Sequence, residues 1–144
     1  ISIPWHMATL EFNKLLKSRL SDDGIYAINF IAPTTKQNDF LNSMVKTFKT
    51  VFDNSYIFTY NDAKGVAQNV VMVGVKSSYR PSNKDLLGKI KFIKNGQDIS
   101  LRLKEETYPK EWKNGQILTD NFAPVERLSL SMINNYFQTY LKTK

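Results

Sequence analysis

The sequence has no cysteine among its 144 residues. This absence excludes disulfides, zinc–thiolate sites and thiol nucleophiles, and we expect no metal site and a cytoplasmic location. No stretch approaches the roughly 20 apolar residues that a membrane-spanning helix needs. Residues 1–7 also lack the basic flank and the small-residue cleavage site of a signal peptide. We therefore expect no membrane contact from this segment.

Glycine is scarce as well, with six residues, and no Gly-x-Gly-x-x-Gly run occurs. Such a run brings backbone N–H groups close to the phosphates of a nucleotide in α/β folds. We therefore expect no cofactor to be held by this chain. The chain also opens with Ile1 rather than Met, in a segment that resembles a loop, so we expect further sequence upstream.

The residues that are present are typical of one domain spanning 1–144. Hydrophobic residues make up 42% and charged residues 23%, which is ordinary globular usage. The formal net charge is +7, and much of it lies within residues 76–113. Lysine dominates there and the aromatic residues are not regularly interleaved, whereas phosphate recognition prefers arginine and single strands stack on aromatics. We therefore favour a solvated lysine-rich surface over a nucleic-acid groove.

Hydrophobic periodicity predicts a helix over residues 8–20, a strand over 25–32 and a second helix over 37–52. The first helix is expected to bury one stripe and to end with Gly24 in the left-handed conformation. The strand is apolar at nearly every position, which is typical of an interior strand that is covered on both faces. The stripe of the first helix comprises Ala8, Phe12, Leu15, Leu16, Arg19 and Leu20.

The second helix is expected to take its N-cap from Thr34-Thr35. Two strands over 55–60 and 69–75 flank turn residues, which favours an antiparallel hairpin. Residues 1–76 are therefore predicted to form a core of helix, strand, helix and hairpin. Residues 77–144 are predicted to form a basic, less regular extension that ends in a helix.

The patterns within this extension are weaker, but they predict five elements. These are a short helix from Ser82 to about residue 93, a turn at 95–96, a strand at 99–103, a loop at 104–124 and a helix at 126–142.

Three segments together resemble the spermidine synthase family. Residues 3–12 read IPWHMATLEF, similar to the opening Ile-Pro-aromatic-His-Leu-x-Thr-x-Glu-Phe that follows the family's fourth strand. Residues 118–126 read LTDNFAPVE, which resembles a later LTDDYAPVE segment, with Asn121 and Phe122 as departures. Residues 20–25, LSDDGI, are similar to the family's lead into its fifth strand.

The resemblance implies the carboxyl-terminal half of an S-adenosylmethionine-methyltransferase-like Rossmann domain. This is an α/β fold with a mixed sheet, a terminal antiparallel hairpin and flanking helices. The implied order places the strand near 68–75 between those near 25–32 and 55–60, antiparallel to both. The resemblance spans most of residues 1–76 as well as the later motif, and residues 77–117 have no match.

The resemblance also implies an activity, because family members transfer an aminopropyl group from decarboxylated S-adenosylmethionine to a polyamine. The Gly-rich turn and the acid that hold this cosubstrate have no counterpart in the chain. The family's catalytic Asp would lie just before Ile1. The chain is therefore expected to be part of an aminopropyltransferase-like protein, to contain no catalytic residue and to be inactive alone.

Five candidate substrate-binding residues lie on the two motifs. The resemblance places Pro4, Trp5 and His6 on a loop that gates the family's active site, where proline stiffens the backbone and tryptophan can cover apolar substrate. His6 is the only histidine, and we favour a structural residue at the start of a helix, bonded to backbone, over a general base. Asp120 and Glu126 are candidate ligands of a cationic amine, with helix capping as an equal alternative.

Asn29 is the sixth candidate, since ligands of such sheets bind beyond the carboxyl ends of strands. Thr34 lies near it in the sequence. The Gln-Gly-Glu run of housekeeping spermidine synthases is replaced by residues 31–34, IAPT, which leaves the identity of the amine open.

In the family fold, the strand at 25–32 has a neighbouring strand that this chain would lack, and this absence predicts a partner. Without its neighbour, the strand at 25–32 would expose an apolar edge, so we expect self-association or pairing with an amino-terminal half. A small-molecule polyamine is the expected substrate of the complete protein. The alternative is a non-catalytic methyltransferase-fold domain used for binding or assembly, and nucleic-acid binding is less favoured.

Overall fold

The chain folds as a mixed α/β structure, with helices packed on an antiparallel sheet. The computed structural model describes residues 3–34, 38–59, 67–82, 84–86, 93–94, 97–98, 104–105, 115–130 and 133–134. The main elements are a 3₁₀ turn (Trp5–Met7), α1 (Leu10–Arg19), β1 (Ile25–Pro33), α2 (Asp39–Val51), β2 (Asn54–Thr59) and β3 (Ala67–Val75). The shorter ones are β4 (Ile93–Lys94), β5 (Gln97–Asp98), β6 (Lys104–Glu105) and helical residues at 84–86, 125–130 and 133–134.

The main sheet has the order β1-β3-β2-β6, and each neighbouring pair is antiparallel. β1 and β2 are therefore parallel to each other, with β3 between them. The register pairs Ile25 with Val75 at one end of β1 and Pro33 with Ala67 at the other. The predicted central position of the third strand is confirmed, as is the antiparallel pairing of the predicted hairpin strands.

In the second half of the chain, the observed elements agree only in part with the predicted ones. Ser82 accepts a hydrogen bond from the Asp85 N–H (3.1 Å) and so caps a helical stretch, which is described for 84–86. The predicted loop at 104–124 is wrong at its start, where β6 pairs with β2. The predicted turn at 95–96 and strand at 99–103 lie outside the described residues. The final helix starts one residue early, at 125.

Helix α2 packs the main core against the sheet. Its N-cap is Asn38, whose side-chain oxygen accepts from the Leu41 N–H at 3.1 Å. The predicted cap at Thr34-Thr35 is wrong, because Thr34 is buried and its hydroxyl accepts from the Gln68 side chain at 3.2 Å. The apolar stripe of α2 is buried as predicted, through Phe40, Leu41, Met44, Val45, Phe48 and Val51.

Helix α1 lies beside α2, but its stripe is rotated from the predicted one. Thr9 caps it by accepting from the Phe12 N–H at 3.2 Å. Leu15 is 57% exposed and Arg19 is exposed, whereas Asn13 is buried and donates to the Thr9 carbonyl at 2.7 Å. The predicted stripe is therefore wrong at two positions, because the neighbours of α1 cover only the side that carries Asn13.

The turn after α1 also differs from the prediction. Asp23, not Gly24, has the left-handed backbone conformation, with φ of 60°. Glycine is required at position 24 for a steric reason instead. A Cβ there would lie 2.8 Å from the Ser21 carbonyl oxygen and 2.9 Å from the Leu20 Cβ. Asp is among the residues that tolerate this conformation because its short side chain bonds locally.

Strand β1 is fully buried on one face only. Ile28, Phe30 and Ala32 are buried against the helices, while Ala27 and Asn29 on the other face are exposed. The prediction of a strand covered on both faces is therefore wrong for this chain. One face of β1 is exposed because β1 forms the edge of the sheet and both helices pack on the same side of it.

A second core lies on the opposite face of the sheet, over β2 and β3. Its buried residues are Tyr56, Phe58, Val71, Val73, Val75 and Leu86. The Arg80 guanidinium lies 4.0 Å from the centroid of the Tyr56 ring.

None of the helices within the described ranges is long and apolar enough to cross a membrane.

Two lysines donate hydrogen bonds to carbonyl groups at the carboxyl ends of the helices. The Lys17 ammonium donates to the Val51 carbonyl at the end of α2 (2.5 Å), and the Lys76 ammonium donates to the Leu20 carbonyl at the end of α1 (2.7 Å). A cation is favourable at this end of a helix because the carbonyl groups there carry partial negative charge. Part of the basic charge of the chain is therefore structural.

Candidate functional site

Residues 115–118, which we call the strap, cross α2 and hold the later motif in place. The Gln116 N–H donates to the Ser43 hydroxyl at 3.0 Å, and the Leu118 N–H donates to the Thr47 hydroxyl at 2.9 Å. The Gly115 carbonyl accepts from the Lys46 ammonium at 2.9 Å. Side chains one turn apart on the helix thus supply acceptors for strap N–H groups that would otherwise be unpaired.

Gly115 is required where the strap meets the helix. A Cβ at this position would lie 2.4 Å from the Asn42 carbonyl oxygen and 2.5 Å from its carbonyl carbon. Because these are backbone atoms of a helix, they cannot move aside as a flexible side chain would. The close approach explains why glycine stands at the start of the strap.

The strap then joins the later motif to the first motif. The Leu118 carbonyl accepts from the Leu10 N–H at 2.7 Å, which satisfies one of the open donors at the start of α1. The Glu11 carboxylate accepts from the Asp120 N–H at 3.0 Å. Thr119 and Phe122 exchange two backbone hydrogen bonds around a tight turn. Segments that lie more than 100 residues apart in sequence therefore meet at one corner of the molecule.

The turn that carries Pro4, Trp5 and His6 precedes this corner. The Pro4 carbonyl accepts from the Met7 N–H at 2.9 Å, which closes the 3₁₀ turn. Trp5 is 44% exposed, and the His6 ring lies edge-on to it at a centroid distance of 5.8 Å. The Thr9 hydroxyl donates to the His6 carbonyl at 3.2 Å. His6 thus stands at the start of a helix as favoured, but it makes this hydrogen bond through its backbone carbonyl.

Asp120 and Glu126 lie on the same segment, and both are exposed. The carbonyl that opens the helix at 125–130 belongs to Pro124, which accepts from the Leu128 N–H at 3.0 Å. Asp120 lies at the turn before this residue and does not cap the helix. Glu126 occupies its first turn, where a carboxylate is favoured by the N–H groups of the helix end. Their role as amine ligands stays a prediction.

Asn29 lies apart from the other candidates. It stands in the middle of β1, opposite Val71, on the face of the sheet that carries the second core. The 3₁₀ turn, α1 and the strap lie on the other face. Asn29 therefore lies on the opposite face of the sheet from the two motifs, because residues of odd number in β1 point away from the helices. Its role as a substrate ligand stays a prediction.

The polar residues that build the corner were not selected from the sequence. Ser43 and Thr47 sit four residues apart within an apolar helix, and both are fully buried. That spacing places two hydroxyls on one face of a helix and could have been noticed. Their strap partners, however, lie more than 70 residues along the chain, and no local pattern indicates them. In the sequence, Glu11 is distinguished only as part of the first motif.

A partly buried ionisable residue, Tyr26, packs against the main core. The Tyr26 ring packs on Phe48 and Phe52 at centroid distances of 6.0 and 6.2 Å. Its hydroxyl oxygen is buried and has no hydrogen-bond partner in the part of the chain that the structure describes. Burial raises the pKa of Tyr26 above its usual value of 10.0, because removal of water disfavours the phenolate.

Comparison with known proteins leaves the family of the chain open. No protein-family model matches the chain, and no curated protein matches it. The solved structure of a probable spermidine synthase from Corynebacterium glutamicum ATCC 13032 is similar, with a TM-score of 0.49 and 17% identity. The match covers 61% of this chain and 32% of that one, so the chain spans about a third of its length. A similarity of this level carries no inference about function.

Proposed function

We propose that this chain is the carboxyl-terminal part of a spermidine-synthase-like protein, and that its two motifs form one wall of a polyamine site in the complete protein. One observation carries the proposal. The segments that resemble the family, residues 3–12 and 118–126, are joined directly by the Leu10–Leu118 and Glu11–Asp120 hydrogen bonds. These contacts place both motifs on one surface of the molecule.

The chemistry of the corner suits a cationic amine. Three exposed carboxylates, those of Glu11, Asp120 and Glu126, lie on the two joined motifs of a chain whose net charge is +7. The exposed Trp5 ring offers an apolar surface and a π face to a methylene chain that bears ammonium groups. Carboxylates would hold the charged ends, and the indole would cover the chain between them.

The proposed reaction of the complete protein is transfer of an aminopropyl group from decarboxylated S-adenosylmethionine to that amine. The amine nitrogen attacks the carbon next to the sulfonium, and methylthioadenosine leaves. This displacement depends on positioning and on removal of a proton from the amine. The residues proposed here would orient the amine only. The cosubstrate and the proton would be bound by other groups of the complete protein.

The first test is binding of spermidine to the 144-residue chain, followed through its backbone amide resonances. We expect spermidine to shift the amides of Glu11 and residues 118–126, with an affinity in the millimolar range for a half-built site. The double variant Asp120→Asn, Glu126→Gln should weaken this binding at least fivefold. Asp53→Asn is the matched control, because that carboxylate is 90% exposed at the other end of α2 and should leave binding unchanged.

Three kinds of result would count against the proposal. A loss of binding in the control that is half of the loss in the double variant or more would mean that spermidine senses only the overall charge, because the control removes one carboxylate and the double variant removes two. Measurable aminopropyl transfer by this chain alone, or micromolar binding of methylthioadenosine, would mean that the cosubstrate pocket lies within residues 1–144. An assembly domain without substrate would show no saturable spermidine shifts at all.

A further inference from the structure

A cavity of about 310 Å³ lies on the face of the sheet that carries the second core, at the end where Ile25 pairs with Val75. Its floor is apolar and is formed by these two residues and Leu86. The other described residues that line it are Asp23, Tyr79, Pro81 and Asp85. A volume of this size falls at the lower end of the range for small-molecule sites.

The segment that follows β3 forms one wall of the cavity and is fastened to the sheet. The Asn54 side chain donates to the Ser77 carbonyl at 2.8 Å and to the Tyr79 carbonyl at 2.9 Å. The Tyr56 hydroxyl donates to the Pro81 carbonyl. Tyr79 is nevertheless 58% exposed. A large aromatic side chain is thus placed at the rim on a fixed backbone, which lowers the entropy that is lost when a ligand binds.

The rim of the cavity carries negative charge. Asp23 and Asp85 are both exposed. The Asp85 carboxylate accepts from the Ser82 hydroxyl at 2.5 Å, through one of its two oxygens. No lysine or arginine is among the described residues that line the cavity, and the Arg80 guanidinium lies on the Tyr56 ring instead. In a chain of net charge +7, the cavity therefore offers a local site of the opposite sign, which favours a cationic ligand.

We propose that this cavity binds a small organic ammonium ion. The apolar part of the ligand covers the floor, where it removes the Leu86 and Val75 side chains further from water. The ammonium group donates charge-assisted hydrogen bonds to the Asp23 and Asp85 carboxylates at the rim, and the Tyr79 ring offers a π face to the same cation. An organic cation fits better than a metal ion, because a metal ion would leave the apolar floor uncovered.

The cavity is separate from the proposed polyamine site. The two motifs meet at the amino end of α1, whereas Asp23 follows its carboxyl end. The motifs also lie with the helices on one face of the sheet, and the cavity lies on the other face. Either site can therefore bind its ligand when the other does not.

The test uses phenylethylammonium as the probe and follows the backbone amide resonances of the 144-residue chain at low ionic strength. We expect saturable shifts at Asp23, Ile25, Tyr79 and Leu86, with a Kd of about 1 mM for a ligand of this size. The neutral 2-phenylethanol has the same ring and chain length but no charge. It should bind at least about tenfold more weakly, because it cannot form charge-assisted hydrogen bonds with the two carboxylates.

Substitutions of neighbouring acids show whether the rim is responsible. Asp23→Asn should weaken binding of the probe roughly fivefold or more, and asparagine tolerates the left-handed backbone at this position. Asp22→Asn is the matched control, because the Asp22 side chain is fully exposed beside Lys76 and does not line the cavity. It should change the Kd less than about twofold, since an exposed charge is screened by water.

Three outcomes would each overturn the proposal. The first is equal affinity for the alcohol and the ammonium ion, and this comparison needs no variant. The second is equal weakening by Asp22→Asn and Asp23→Asn. The third is the absence of saturable shifts at the cavity, including the case in which the probe shifts residues 118–126 instead.

Discussion

Removal of the Thr47 hydroxyl should loosen the strap and destabilise the whole fold. This hydroxyl donates to the Ser43 carbonyl at 2.8 Å and accepts from the Leu118 N–H at 2.9 Å, and Thr47 and Leu118 are fully buried. Thr47→Val keeps the shape of the side chain and removes only the polar group. The Leu118 N–H is then buried without a partner.

The size of the effect follows from that unpaired donor. A buried N–H without an acceptor costs about 1–3 kcal/mol, and for a chain of this size each kcal/mol lowers Tm by roughly 3 °C. We therefore expect the free energy of unfolding to fall by about 1–3 kcal/mol. Thermal and urea unfolding, followed by circular dichroism at one fixed protein concentration, measure it. Hydrogen exchange of the Leu118 amide should accelerate more than that of other core amides.

The same helix provides a control. Thr50 donates a similar hydrogen bond to the Lys46 carbonyl at 2.8 Å, but it is exposed and accepts nothing from the strap. Thr50→Val removes an equivalent hydroxyl and should change stability by no more than about 0.5 kcal/mol. If the two variants unfold alike, the Thr47–Leu118 hydrogen bond does not anchor the strap and the reasoning fails.

Two further substitutions test the main core. In Gly74→Ala the new Cβ would lie 2.4 Å from the buried Phe52 ring, so urea unfolding should show a loss of about 1–3 kcal/mol from overpacking; an unchanged midpoint would show that the ring can move aside. In Tyr26→Phe the unpaired hydroxyl is removed, and stability at pH 7 should be equal or higher. Because the pKa of Tyr26 is raised in the folded state, the unfolded chain releases this proton first. The contribution of Tyr26 to the free energy of unfolding is therefore fully present below pH 10 and is lost as the pH rises above 10. The wild-type chain should lose more stability than the variant between pH 9 and 11, and parallel curves would contradict the assigned cause.

The sequence was sufficient for the elements whose patterns are local. The spacing of apolar residues in α2 predicted both the helix and its buried face, because one helix face packs on one sheet. The central place of β3 came from the family resemblance rather than from any pattern of its own. For β1, the apolar composition of the strand was compatible with burial on both faces, and the neighbours that decide burial lie elsewhere in the chain.

The candidate site was predictable only as a set of segments. The sequence indicated the two motifs that contain Trp5 and Asp120, but it predicted neither that they meet in the fold nor the contacts that join them. The acceptors in α2 and their donors in the strap are too far apart in sequence for any spacing rule. The face of the sheet on which Asn29 lies could not be predicted, for a simpler reason. One residue of shift along a strand moves a side chain to the opposite face, and position near a strand end does not determine the face.

The central place of β3 has a consequence for biosynthesis. β1 and β2 are synthesised before β3, but β3 lies between them in the sheet, so neither can pair with the other. The two ladders close only after Val75 has left the ribosome. At a synthesis rate of roughly 5–20 residues per second, about 2–8 s pass between completion of β1 and completion of β3, and β1 remains unpaired with β3 during that time. Nascent chains of this protein are therefore expected to depend on chaperones during that interval.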